Sequence, residues 1–338
     1  MTIAPARIPG VAASWLAAVE EGLAERVAGV PEPLTGPCRR IVTAPAKRLR
    51  PTLVLSAAAC AGGGLTPATL GSAVAVELLH CSSLVHDDLI DAARARRGVP
   101  TVNGAEGAAT AIVAGDALIA LAGEVAAAVD ARTAAAVSST LSELCRGEAR
   151  ELAGRYRAGL SLAEVIGTIE AKTGALLRVA CRLGAEAAGA DPRLTAALDA
   201  FGLSFGTCLQ LVDDVLDVVS TDDLLGKPTG ADFAAGTVTA PAVHALAASP
   251  ELRTLLRPGL DDHERRRVRS LLCEHGVGAA VALARDLARR SERTLTAAAG
   301  LGDDPTVRAL AALPGRYVRR QLTTRVPPQH RHLLPALP

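Results

Sequence analysis

Long runs rich in Ala, Leu and Val, broken only by short Gly- and Pro-containing stretches, confine this chain to helix. The runs cover residues 11–28, 70–97, 108–129, 133–153, 162–188, 193–220 and 277–299. Each is far longer than a typical strand, and Ala and Leu are strong helix formers. Breakers at 31–37, 61–67, 98–107 and 226–236 separate them. No hairpin signature, internal repeat or interdomain linker interrupts the pattern. The expectation is an all-α chain, a single large helical domain over 1–338, with a loosely held Pro-rich tail at about 326–338.

Two aspartate clusters stand out against this apolar background. Asp87-Asp88-Leu89-Ile90-Asp91 lies late in the 70–97 run, and Asp213-Asp214-Val215-Leu216-Asp217 lies inside the 193–220 run. Residues four apart share a helix face, so Asp87 stacks on Asp91 with Asp88 alongside, and the second cluster repeats the spacing. Like charges so placed destabilise a helix, and carboxylates near an apolar core need cations or raised pKa values. A single such motif is more often a solvated acidic face. Two copies, each flanked by apolar residues such as Leu84-Val85 and Leu211-Val212, point to hard divalent cations with oxygen ligands. Mg²⁺ is typically held by one or two carboxylates, waters and substrate phosphates.

Basic residues gather near both clusters. Arg94, Arg96 and Arg97 follow the first, with Gly98-Val99-Pro100 then ending the helix; Lys227 follows the second; Lys47-Arg48-Leu49-Arg50-Pro51 precedes an early helix, and Lys172 precedes Thr173 in another. Taken singly each is an ordinary surface charge. Beside two metal sites they indicate a phosphate-rich substrate.

The remaining composition narrows the function by exclusion. Lys+Arg at 36 against Asp+Glu at 35 leaves a formal charge of +1, without the basic excess of a nucleic-acid binder. The 7 cysteines are scattered and never form CxxC, which indicates reduced thiols rather than a disulfide framework or zinc site. No signal peptide precedes the helices, and no uncharged apolar run reaches spanning length, since Asp116 interrupts the best one at 107–123. A soluble, cytoplasmic protein with no transmembrane segment is expected.

In order along the chain, these residues resemble the trans-isoprenyl diphosphate synthases, or polyprenyl synthetases. Ala46-Lys47-Arg48-Leu49-Arg50-Pro51 resembles the family's GKRLRP. Residues 80–100 resemble its first aspartate-rich region with trailing RRGxP. Gly115-Asp116 resembles its GD motif and Lys172-Thr173 its KT motif. Residues 210–217 resemble QxxDDxxD, and 226–232 resemble GKPxGxD. The resemblance implies a helical bundle around a central cavity, usually a homodimer. It implies Asp87, Asp91 and Asp213 as main Mg²⁺ ligands, supported by Asp88, Asp214 and Asp217. Lys47, Arg50, His80 and Arg97 would hold isopentenyl diphosphate. Arg96, Lys172 and Lys227 would hold an allylic diphosphate, with Lys172, Thr173 and Gln210 lining the reacting region. The implied reaction is head-to-tail condensation of the two diphosphates to an all-trans polyprenyl diphosphate, geranylgeranyl or longer. Residues four and five before the first aspartate, Ser83 and Ser82, are small where bulk would stop elongation early, as is Ala117.

Three positions depart from the pattern: Ala46 replaces a glycine, Leu209 stands where Phe is common, and Thr237 stands where a lysine diphosphate contact is expected. His86 is expected to hydrogen-bond beside the metal ligands rather than join them, and Phe201 and Phe205 to pack in the core. Two other functions compete. A class I terpene cyclase would share the metals but shield its cation with aromatic faces, and aromatics are only 2% here. A catalytically silent regulatory subunit would be expected to lose aspartates, and all six are present.

Overall fold

The structure, a computed structural model, describes residues 10–96, 98–225, 229–298 and 304–334. The chain divides into two compact units, one of residues 1–142, 176–202 and 295–310, the other of 143–175, 203–294 and 311–338. In the first unit lie α1 (Ala13–Ala28), α2 (Thr35–Val42), α3 (Leu49–Cys60) and α4 (Pro67–Ile90). A two-residue antiparallel ribbon, β1 (Ala95–Arg96) with β2 (Val99–Pro100), leads to α5 (Val102–Glu106) and α6 (Ala108–Val129). The long helix α7 (Ala131–Gly154) starts in the first unit and ends in the second. There α8 (Leu162–Ile169) runs into a π-helical turn, Glu170–Gly174. Next, α9 (Ala175–Ala187) serves the first unit, and α10 (Pro192–Val219) carries the chain into the second. The second unit continues with α11 (Asp222–Leu225), α12 (Ala231–Ala234), α13 (Ala240–Ala248), α14 (Pro250–Leu255), α15 (Asp262–His275) and most of α16 (Val277–Ala298). After α17 (Pro305–Ala311), α18 (Leu313–Arg325) and a 3₁₀ turn at Pro328–Leu333 close the chain.

Local chemistry explains how α4 presents the first cluster. Thr66 caps its start by accepting from the Thr69 amide at 3.1 Å, and Pro67 fills the first helical position, where no amide is needed. The helix then buries Ala73, Val74, Ala75, Val76, Leu78 and Leu79. It packs most extensively on α6, whose Ala111, Ala114, Leu118 and Ala122 are fully buried. Small residues let the two backbones approach, and each buried Val or Leu contributes about 1.5–3 kcal/mol.

This helix stops at Ile90, not at the 98–100 breaker that the sequence indicated. Ala92 adopts a left-handed conformation (φ 51), and the Ala93 amide turns back to the Asp88 carbonyl at 2.8 Å. That closure satisfies a terminal carbonyl and leads the chain through Arg94 into β1, which carries Arg96. The first cluster is therefore the end of a helix rather than its middle.

In the second unit α10 supplies the centre of the core. Cys208, Leu211, Val212, Val215 and Leu216 cluster with Val268 and Leu272 of α15, Val281 and Ala284 of α16, and Val318 and Leu322 of α18. Of the Pro-rich tail, Val326 and Leu334 are buried in the same cluster, and 335–338 lie outside the described residues. Phe201 and Phe205 pack in the interior as expected, at 0% and 2% exposure. All seven cysteines are unpaired thiols, and burial pushes Cys38 up to about 11 and Cys208 up to about 12.

Among the described residues three helices, α4, α6 and α10, are long and apolar enough to cross a membrane by length and composition. Isolated charges such as Glu77, Asp116 and Asp199 interrupt these helices, so none reads as a wholly uncharged run. In this fold 67%, 33% and 56% of their apolar windows are buried in protein.

Candidate active site

In the first unit, the end of α4 and the start of α3 carry the candidate residues. The Asp88 carboxylate is 3% exposed and receives Arg96 through Nη2 at 2.8 Å and Nε at 2.9 Å. Asp87 is half-buried and Asp91 exposed. His86 lies beneath them, with Nε2 3.4 Å from the Ile112 carbonyl and 3.6 Å from Asp116 Oδ1. That is the hydrogen-bonding role expected of it. It also explains the Gly-Asp pair on α6: a Cβ on Gly115 would fall 2.1 Å from His86 Nε2.

Lys47 and Arg50 flank Arg48, which starts α3 in a left-handed conformation (φ 47). Ala46 stays outside that region of backbone space, so its replacement of glycine costs no strain. Arg48 itself is structural, fastened to Glu20 and Glu77. Arg50 is different. Its Nε is sealed from solvent and finds no hydrogen-bond acceptor among the described residues. Burial lowers its pKa, opposed by the nearby charges of Glu77, Cys81 and Asp87. His80 projects from α4 one turn below the Ser82–Ser83 pair, whose hydroxyls bond back to the Leu79 and His80 carbonyls.

In the second unit the π-helical turn holds Lys172 and Thr173. Such turns widen the helix by one residue and recur at functional sites. Here the turn aims two side chains at different partners. Lys172 Nζ lies 2.6 Å from Glu148 and 2.8 Å from Glu151, both on α7. Burial opposes its charge, but the two glutamates outweigh that and hold the ammonium above the usual lysine range. Thr173 donates to Gln210 Oε1 at 2.9 Å, and Gln210 Nε2 donates to Asp214 Oδ1 at 2.9 Å. This chain fixes which way the Gln210 amide faces.

The three aspartates of α10 have distinct environments. Asp217 is 2% exposed and accepts the Asp232 amide, while its own carbonyl accepts from Gly230, anchoring the segment that follows. Asp214 is 4% exposed. Burial first, then the like charges of Asp232 and Asp213, push its carboxyl well above the usual range against the hydrogen bond from Gln210. Asp213 is half-buried and accepts a hydrogen bond from the Tyr317 hydroxyl at 3.1 Å. Beside this group opens a cavity of about 660 Å³, lined by Lys172, Thr173, Gln210, Asp214, Asp232 and Thr237 among others. Thr237 thus does line the cavity, with a neutral side chain where a lysine was expected.

The donor set suits a hard divalent cation. All six cluster side chains are carboxylates, and the Asp214 carboxyl is raised first by burial and then by the like charges of Asp232 and Asp213, a repulsion that a cation would relieve. Among the described residues no group of three or more His, Cys, Asp or Glu could enclose a metal by itself. An ion completed by water and substrate phosphate needs no such group. Burial also sorts the six. Asp88, Asp214 and Asp217 are 2–4% exposed, whereas Asp87 and Asp213 are half-buried and Asp91 is exposed.

Arg97 and Lys227 lie outside the described residues. Sequence reasoning overlooked Glu148, Glu151 and Tyr317, and gave Asp232, the last residue of the 226–232 motif, no role. The first two carried a signal in Gly147-Glu148-x-x-Glu151, because Gly147 gives passage to Lys172: a Cβ there would fall 2.7 Å from its Cγ. Tyr317 carried none, since its partner lies 104 residues away.

The profile of the polyprenyl synthetase family matches residues 31–273. The chain is 39% identical over 232 residues to the heptaprenyl diphosphate synthase component 2 of Geobacillus stearothermophilus, covering 68% of this chain and 72% of that protein. It is 33% identical over 311 residues to the nonaprenyl diphosphate synthase of Mycobacterium tuberculosis, covering 90% and 92%. The fold superimposes on the crystal structure of a decaprenyl diphosphate synthase from Rhodobacter capsulatus with a TM-score of 0.84 at 27% identity, covering 91% and 96% of the two chains. The architecture is the all-α fold of these isoprenyl synthases.

Proposed function

This chain belongs to the polyprenyl synthetase family, and we propose that it joins an allylic diphosphate to isopentenyl diphosphate, head to tail, in a Mg²⁺-dependent reaction. The observation that carries this reading is the sorting of the aspartates. The three that keep solvent exposure, Asp87, Asp91 and Asp213, are the three that the family pattern makes the main metal ligands. Bound there, Mg²⁺ would offset charge developing on the leaving diphosphate.

The protein's own groups do the rest. Lys172, kept cationic by Glu148 and Glu151, and Arg96 with Lys227 would hold the allylic diphosphate as its C–O bond breaks. Arg50, in the first turn of α3, would hold isopentenyl diphosphate with Lys47, His80 and Arg97. The double bond of isopentenyl diphosphate then attacks the allylic cation. Gln210, oriented by Thr173 and Asp214, would line the reacting region, and the proton is lost to the departing diphosphate. No side-chain nucleophile takes part.

The same reading includes a cytoplasmic homodimer. Its support is the outer face of α6, where Ile112 and Val113 are 48% and 49% exposed, a surface that a second copy would cover. A second reading, a subunit that works with a different partner chain, takes its support from the relative named as one component of a synthase. One experiment tests both. The purified chain is incubated with Mg²⁺, isopentenyl diphosphate and each short allylic diphosphate, its mass is measured by light scattering, and its products are sized by chromatography. Elongation by a dimer is expected. Inactivity of the chain alone would favour the second reading, and a cyclic hydrocarbon product would favour a cyclase.

A further inference from the structure

Of the three aspartates that keep solvent exposure, Asp213 receives an unusual partner. The Tyr317 hydroxyl, on α18 near the end of the chain, donates to Asp213 Oδ1 at 3.1 Å. The tyrosine is not free to swing away. Its ring stands edge-on to Phe205 of α10, with centroids 6.2 Å apart and planes at 75°. Phe205 is fully interior and sits two helical turns before Asp213. The next residue, Val318, is buried in the core of the second unit, as is Leu322 one turn later. At the far end of α18 the Ser220 hydroxyl, just past α10, donates to the Arg325 carbonyl at 2.7 Å. Two helices distant in sequence are thus pinned at both ends, with the Tyr317–Asp213 bond between.

The chemistry of this partner differs from that at the first cluster. Asp88 is answered by the Arg96 guanidinium, whose charge cancels its own. A phenol donates a proton without bringing charge. It fixes the rotation of the carboxylate, leaves the full negative charge in place and occupies one lone pair of one oxygen. That is what a group must do if it is to orient an anion for a cation rather than replace the cation.

We propose that Tyr317 is a positioning residue that holds the Asp213 carboxylate in the orientation that accepts a divalent cation. The proposal rests on the reading of Asp213 as a metal ligand. It assigns to the C-terminal helix, which lies beyond the 31–273 family match, a part in cation binding.

Tyr317→Phe keeps the ring against Phe205 and removes only the donor. Mn²⁺ binding to the full-length protein, read from the spin-resonance signal of free Mn²⁺ with and without inorganic pyrophosphate, should weaken by about tenfold, the usual scale for losing a hydrogen bond to a metal ligand. The thermal midpoint should stay close to that of the parent. Asp213→Asn serves as the reference. In its background Tyr317→Phe should add no further loss. Parental Mn²⁺ affinity in Tyr317→Phe, beside a weakened Asp213→Asn, would overturn the positioning role alone. An equal loss from Tyr317→Phe in both backgrounds would also overturn it, by showing a general structural effect. Parental affinity in Asp213→Asn would remove the metal reading and the proposal with it.

Discussion

Arg48 and Glu77 form a buried ion pair, Nη1 to Oε1 at 2.9 Å, with 7% and 3% of their side chains exposed. The same guanidinium reaches Glu20 of α1 through Nε at 2.6 Å and also binds the Val42 carbonyl. One side chain thereby ties the start of α3 to α1, α2 and α4, and fixes the backbone between Lys47 and Arg50. Removing one partner of a buried pair costs about 3–5 kcal/mol, because the other charge is left without compensation. Arg48→Ala should lower the urea midpoint accordingly and should weaken isopentenyl diphosphate, which Lys47 and Arg50 are assigned to hold. An Arg48→Ala protein of parental stability would show that Glu77 finds another partner.

The aspartates should separate by role. Asp87→Ala and Asp213→Ala should abolish condensation with the helical circular dichroism intact, since neither side chain is fully buried. Asp217→Ala should destabilise the protein as well, because its carboxylate is buried and accepts the Asp232 amide. Turnover near the parental rate in both Asp87→Ala and Asp213→Ala, at controlled metal concentration, would be incompatible with the mechanism.

Arg50→Ala and His80→Ala should weaken isopentenyl diphosphate more than the allylic partner. Losing one charged hydrogen bond costs about 1.5–3 kcal/mol, and that cost should fall on the Michaelis constant of one substrate. Equal losses for both substrates would dissolve the division into two diphosphate sites.

Gly147→Ala tests how Lys172 is held. Alanine is the better helix former by about 1 kcal/mol. A Cβ at this position, however, would meet Lys172 Cγ at 2.7 Å and Ala171 Cβ at 3.0 Å. Overpacking costs about 1–3 kcal/mol, so the propensity gain should be offset and the allylic Michaelis constant should rise. A more stable variant with unchanged kinetics would mean that the π-helical turn shifts freely.

The helices and the aspartate clusters were legible because their signals are local. Apolar composition, breakers and four-residue spacing act within one or two turns, and α6 ran over the residues its sequence indicated. The end of α4 was not legible. Nothing in Asp91-Ala92-Ala93 marks a left-handed residue, since alanine takes that conformation at a cost of about 1–2 kcal/mol. The widening of α8 into the Lys172 turn was hidden for a similar reason: π and α geometry share one composition. Whatever depended on distant partners, such as Glu148 and Glu151 on Lys172 or Tyr317 on Asp213, required the fold.

Product length follows from side-chain volume below the first cluster. Ser82 is 1% exposed and Ser83 half-buried, with both hydroxyls bonded to carbonyls of their own helix, so neither projects far from α4. Leu79 and Val76, deeper on α4, are fully packed and mark where a lower floor would lie. On the proposed reading, in which the product grows along this face of α4, small residues at 82 and 83 would admit a chain longer than farnesyl. The two serines should respond differently to added bulk. Ser83→Phe, with space on its solvent side, should shorten the product while the first condensation proceeds. Ser82→Phe must displace packed neighbours, at about 1–3 kcal/mol, and should lower the thermal midpoint as well as the product length. Chromatographic sizing with excess isopentenyl diphosphate checks both. A parental enzyme that stops at farnesyl, or a Ser83→Phe enzyme with the parental product, would place the stop elsewhere than on this face of α4.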